Sequence, residues 1–184
     1  MMSQKTQSTL EAQVTTGKNF ISLYWDYENI NKIESEAKML INFCQNRGCL
    51  VNQNIYAKAS IWQRDKGKSK AKLNNLGFTC IEVSLATKNA VDFQLVIDCV
   101  AETHNNISTN LFILVSSDGD YETLIRELQN KGKEIIVFYH PNRVSQALIQ
   151  IATEAYSVEE LPELVNNKVQ RLDVPSQITY KVAI

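Results

Sequence analysis

Apolar runs of strand length alternate with amphipathic runs of helix length through the middle of the chain. Phe20 to Trp25 (FISLYW) is almost wholly apolar, as a central strand covered on both faces requires. The spacing of Ile33, Ala37, Leu40, Ile41 and Cys44 predicts a helix over 31–47, with Gly48 as its stop signal. Asn54 to Ala59 reads as a second strand. A lysine-rich helix is expected from Trp62 to Asn75, then a strand over 78–83 and a largely buried helix over 91–103. Leu111 to Val115 is the strongest strand, followed by a helix carrying Leu124, Ile125 and Leu128 and closed by Gly132. A strand over 135–139 and a helix over 144–152 complete the pattern. This alternation predicts an α/β fold: a central, mainly parallel sheet with helices on both faces, joined by right-handed crossovers.

Residues 1–17 and roughly 163–184 are polar and lack periodicity, and the second stretch contains Pro175, so both read as tails or peripheral segments. That leaves a single domain over 18–162. Its composition, 44% hydrophobic and 21% charged, is that of an ordinary globular domain. A formal net charge of −1 provides no bulk field to attract nucleic acid or membrane, so any polyanion site must be local. No apolar leader and no run long enough to span a bilayer is present, and the expectation is a soluble, cytoplasmic protein with no membrane partner. Cys44, Cys49, Cys80 and Cys99 lie in apolar stretches without a C-x-x-C pair and read as buried, reduced thiols. With His104 and His140 the only histidines, an imidazole-rich metal site is excluded.

In an open parallel sheet, ligands gather beyond the carboxyl ends of the strands, where the strand order reverses. The first strand runs straight into Asp26, in W-D-Y-E-N, with Asn29 three residues on. The strand ending at Val115 runs into S-S-D-G-D-Y, placing Asp118 and Asp120 in a tight turn that Gly119 makes sterically easy. Asp92 opens the buried helix after Lys88 and Asn89. Carboxylates crowded at one edge repel one another unless a cation neutralises them, and oxygen ligands without His or Cys suit Mg²⁺ or Mn²⁺. Taken singly, Asp26, Asp118 and Asn29 could instead be helix caps. Asp98 lies six residues from Asp92, about 120° around the helix, and is either an acid supporting the ligands or a buried structural partner. Ser116 and Ser117 could bind phosphate or the acids, or cap the turn locally.

Three segments, D-Y-E-N-I, K-N-A-V-D-F-Q-L-V-I-D and L-V-S-S-D-G-D-Y, resemble the motifs of the NYN-domain (LabA-like) family of PIN-like nucleases. The resemblance covers residues 20–160 and implies a PIN-like three-layer α/β/α sandwich with a divalent-metal-dependent ribonuclease activity. The acids it carries over are Asp26, Asp92, Asp118 and Asp120 as metal ligands, with Asn29 as a polar companion. One ion, or two ~4 Å apart, would activate water for attack on RNA. The third motif departs from the family's S-G-D-S-D-F: Ser117 and Gly119 stand in exchanged places and Tyr121 replaces Phe, which puts the loop shape in doubt but leaves the acids intact.

Between Lys58 and Lys72 the chain carries six positive residues (Lys58, Arg64, Lys66, Lys68, Lys70, Lys72) against one acid, Asp65, with Trp62 near its head. Such a segment could track a single-stranded backbone and stack a base on Trp62, or be only a solvated helix face. Lys88 is a smaller candidate for the same task. The rival functional reading is a non-catalytic RNA-binding or regulatory module that keeps the metal site. A nucleotide-binding Rossmann domain is disfavoured, because no G-x-G-x-x-G or P-loop follows any strand. Self-association is left open.

Overall fold

The computed structural model describes residues 19–31, 36–84, 87–105 and 108–172, with side chains as far as 166. Ile33, the expected tail over 1–17 and residues 173–184 of the tail expected over 163–184 lie outside the described residues. Six strands form one all-parallel sheet: β1 (Asn19–Asp26), β2 (Gly48–Lys58), β3 (Thr79–Val83), β4 (Leu111–Val115), β5 (Glu134–Tyr139) and β6 (Glu154–Ser157). Their order is β3-β2-β1-β4-β5-β6. The chain therefore builds outward from β1 in one direction, then returns to start again beside β1 with β4. The reversal falls between β1 and β4, where ligands collect in sheets of this kind.

Strand periodicity assigns the two faces. Ile21, Leu23 and Trp25 of β1 join Ile113, Val115, Ile136 and Phe138 in one core, covered by α1 (Ala37–Arg47), α3 (Lys68–Asn75) and α7 (Leu161–Leu172). Tyr24, Phe112, Leu114, Ile135 and Val137 face the other core, beneath α4 (Ala90–Asn105), α5 (Glu122–Asn130) and α6 (Gln146–Ile151). Helices thus cover both faces, giving the three layers. Asp26 has the parity of Tyr24 and falls on the α4 side.

Several elements differ from the sequence expectation. β2 begins at Gly48, directly after α1, instead of at Asn54. Gly48 is extended there, and a Cβ would lie 2.2 Å from the Asn19 carbonyl oxygen, so close strand approach explains this glycine. The polar run Asn52-Gln53-Asn54 hides the strand, but its amides are bonded to Glu102, the Leu76 carbonyl and Tyr56. The lysine-rich helix is broken into α2 (Ala59–Gln63) and α3 by a turn in which Lys66 and Gly67 take positive φ. Asp65 holds that turn by accepting from the Ser69 backbone at 2.7 Å. β6 is too short for periodicity to reveal, and α7 occupies residues expected to be a tail. Among the described side chains of α7, Leu161, Leu164 and Val165 reach the core. A capping box, Ser157 with Glu160, announces the turn before it. The cysteines are free, Cys44 and Cys99 buried and Cys49 and Cys80 half-buried. Among the described residues no helix is long and apolar enough to cross a membrane.

Candidate functional site

Asp26 ends β1 at the strand-order reversal and is 3% exposed. Its Oδ1 accepts from the Asn29 backbone N–H at 3.2 Å, and its Oδ2 from Ser116 Oγ at 3.3 Å and the Tyr121 hydroxyl at 3.2 Å. Burial raises its pKa to about 6, with the Asp92 charge adding and the three hydrogen bonds opposing. Asp92, in the first turn of α4, meets the same Tyr121 hydroxyl at 2.9 Å through Oδ1. Burial pushes Asp92 up as well, against the Tyr121 bond and with help from the charges of Asp118, Asp120 and Glu28. A phenol has one hydrogen and can serve only one of two carboxylates at a time. Burial and the two acids hold Tyr121 far above its ordinary range, so it remains a donor. The second acid then needs a proton or a cation of its own.

The remaining predicted residues divide clearly. Asp118 accepts from the Asp120 backbone N–H at 3.0 Å, capping the single 3₁₀ turn Gly119–Tyr121, while its own N–H donates to Ser116 Oγ. Asp26, Asp92 and Asp118 line one cleft of about 250 Å³, together with Asn29. Asp120 is exposed and lines an adjoining groove instead, with Asn89 Nδ2 3.5 Å from its Oδ2. Among the described residues no three acidic, histidine or cysteine side chains converge closely enough to hold an ion, so the four aspartates are not a ready-made cage. Asn29 Oδ1 accepts from the Ser117 N–H at 2.9 Å, tying the loop after β1 to the loop after β4. Ser117 Oγ in turn accepts from the His140 N–H, tying in the loop after β5. Ser116 bears directly on Asp26, whereas Ser117 laces the loops.

Asp98 takes no part in this cluster. It accepts from Tyr56 at 3.0 Å and Gln94 at 2.8 Å, beneath α4 and over β2. One turn further on, Glu102 accepts from Ser22, Tyr24, Asn52 and Thr109. Trp62 is not available to stack a base: it is 3% exposed, lies in the core and stacks on Tyr27 at a centroid distance of 4.8 Å. Its position on the inner side of α2 buries it, where the lysines around it suggested an exposed face. Arg64, Lys66, Lys68 and Lys72 are exposed, Lys70 pairs with Glu82, and none of these five lines the cleft.

The cleft's cations are Lys58 and Lys88, and its fourth acid is Glu28. Lys88 was expected there; Glu28 and Lys58 were not. Glu28 accepts from the Lys58 backbone N–H at 2.7 Å, and its other oxygen is 3.7 Å from Lys58 Nζ. Glu28 stands two residues after Asp26, a signal present in W-D-Y-E-N, and Lys58 closes the neighbouring strand. Tyr121 stood out only as a departure from the family motif; its role as a phenol shared by two acids depends on contacts across 95 residues. The donor set is entirely oxygen, and four carboxylates against two ammonium groups leave a negative cleft that a hard divalent cation would suit.

Among curated proteins none matches this chain. The fold is similar to that of a protein of unknown function from Vibrio parahaemolyticus, with a TM-score of 0.67 at 20% sequence identity, over 78% of this chain and 95% of that one. The NYN domain model matches residues 20–159, which contain the whole sheet but for one residue and every acid of the cleft, and the chain belongs to the NYN domain family of PIN-like nucleases.

Proposed function

We propose that the protein is a divalent-metal-dependent ribonuclease that hydrolyses RNA phosphodiester bonds at the cleft between β1 and β4. The observation that carries this reading is the meeting of Asp26, Asp92 and Asp118, from three distant segments, around one hollow with two of the acids held above their ordinary range. Membership of a nuclease family supports it. Asp26, Asp92 and Asp118 would hold Mg²⁺ or Mn²⁺, with Asp120 reaching in from the groove. When bound, the ion would activate water and neutralise the charge developing on the phosphoryl oxygens. Asn29 fixes the Asp26 carboxylate through its backbone N–H, and Tyr121 keeps Asp26 and Asp92 facing each other. Lys58 and Lys88 offset the repulsion between this acidic cleft and a phosphodiester. Arg64, Lys66, Lys68, Lys70 and Lys72 would bind the strand's backbone at a distance, without reading sequence. Such an enzyme would meet its RNA in the cytoplasm.

Single-turnover cleavage of a labelled RNA in Mn²⁺, with an EDTA control, tests the reading. Asp92→Asn should lower the rate by about 10²–10⁴-fold, the scale of losing metal-assisted charge stabilisation. Asp98→Asn should spare cleavage and show its effect in the melting temperature. Loss of cleavage in Asp98→Asn with none in Asp92→Asn would reverse the assignment of the two acids. The rival is a non-catalytic RNA-binding or regulatory module that retains the metal site, and a wild type that binds RNA yet cleaves under no divalent ion would establish it.

A further inference from the structure

We propose that the groove between α4 and α5 seats an unpaired nucleobase of the substrate strand, stacked on Phe93; the inference rests on the ribonuclease reading of the adjoining cleft. Phe93 follows Asp92 directly and is 62% exposed, an unusual exposure for a large aromatic. It lines a groove of about 720 Å³ with Val96 and Val100 of the same helix. The groove shares Asn89 and Asp92 with the acidic cleft, so the two hollows form one trough with Asp92 at the border.

Charge divides the trough. Lys58 and Lys88 line the cleft, and among the described residues no lysine or arginine lines the groove. The groove's rim carries Asp120, Glu122 and Glu127, of which Glu122 is bridged by Arg126 at 2.7 Å and Glu127 by Lys131 at 3.4 Å. With the divalent ion of the proposed function, Lys58 and Lys88 would draw a phosphate into the cleft, while the groove, walled by Phe93, Val96 and Val100, admits an uncharged planar group. A nucleotide that places its phosphate in the cleft has its base within reach of Phe93. Stacking suits any base because every base has a π-face, so the seat predicts a preference for unpaired over paired RNA without a preference among bases.

The test uses a labelled single-stranded RNA and a series in which one abasic residue is moved stepwise along it. Binding is read by fluorescence anisotropy in Ca²⁺, and kcat and KM in Mn²⁺. Phe93→Ala should weaken binding of the intact strand about tenfold and raise KM with little change in kcat, since one stacked base is given up. Phe93→Tyr, which keeps the ring, should restore it. One abasic position should weaken wild-type binding to the same degree and cost Phe93→Ala nothing more. If Phe93→Ala binds the intact strand as wild type does, or if every abasic position costs the variant as much as the wild type, the seat is refuted. The seat is equally refuted if Phe93→Ala leaves RNA binding unchanged and converts a dimer to a monomer in sedimentation; Phe93 and the equally exposed Ile97 would then be a self-association face. A wild type that shows the Phe93-dependent abasic effect but never cleaves keeps the seat and removes the nuclease reading. Cleavage that ignores Phe93 does the reverse.

Discussion

Asp26 and Glu102 press against the same face of one sheet and end in opposite electrostatic states. Glu102 lies over the amino-terminal half of β1, with Ser22 and Thr109 donating to one oxygen and Tyr24 and Asn52 to the other. Burial raises its pKa, yet four donors outweigh burial and hold the carboxyl below its ordinary range. Asp26, at the carboxyl end of β1, has three donors, one of them a phenol it must share with Asp92, and is held above that range. A lone carboxylate saturated by neutral donors is a structural joint. A carboxylate facing a second acid across one hydroxyl is poised for a cation. The contrast teaches that burial alone does not mark a functional acid; the number of donors per negative charge does.

The sharpest way to break the comparison is cleavage. Asp26→Asn should cost about 10³-fold in single-turnover rate, while Glu102→Gln, far from the cleft, should stay within about threefold of wild type. Equal losses would dissolve the distinction. Stability should run the other way. Glu102→Gln turns an amide N–H₂ toward groups arranged to donate, lowering unfolding free energy by about 1–3 kcal/mol in urea melts. Asp26→Asn removes a buried charge and its repulsion with Asp92, so the metal-free variant should match or exceed wild type.

Next in size is the pH dependence. Asp26 binds its proton more tightly folded than unfolded, with a pKa of about 6 against an ordinary 3.8. Its contribution to stability is therefore fully present below the ordinary value and lost as pH rises through about 6, amounting to about 3 kcal/mol. Glu102 is the reverse: its contribution is present above the ordinary 4.5 and lost as pH falls through the lower folded value. Melting temperatures of the metal-free protein between pH 3 and 8 should show Asp26→Asn abolishing a decline near pH 6, and Glu102→Gln softening the acid limb. A wild-type curve flat through pH 6 would contradict the state assigned to Asp26.

The smallest effect concerns the exposed lysines. Lys66→Gln, Lys68→Gln and Lys72→Gln together should reduce the salt slope of single-stranded RNA binding by ~0.7 for each phosphate no longer neutralised. Their effect on the cleavage rate of bound RNA should be slight, because none lines the cleft. An unchanged slope would leave them a solvated surface.

Much of the fold was legible because β1, β4 and β5 must be apolar on both faces, and apolar runs of that length between amphipathic stretches have few other readings. What stayed hidden had little periodicity to display. β6 has four residues, and the break at Lys66 and Gly67 depends on two positive φ angles. Trp62 misled because lysines surround it in sequence while the chain turns it inward against Tyr27.

By itself the amino-acid sequence determined a parallel α/β sheet with Asp26 and Asp118 at or just beyond strand ends, since apolar periodicity and turn chemistry are local properties that each segment carries alone. Only the tertiary structure decided which acids share a cleft. Strand order brings the end of β1 beside the end of β4, the first turn of α4 brings Asp92 to the Tyr121 hydroxyl, and the same helix carries Asp98 to Tyr56. Asp120, two residues from Asp118, falls into the neighbouring groove because Asp118 caps the turn between them. Proximity between distant segments is set by packing and not by spacing, and the division between cleft and structural carboxylates is a matter of proximity.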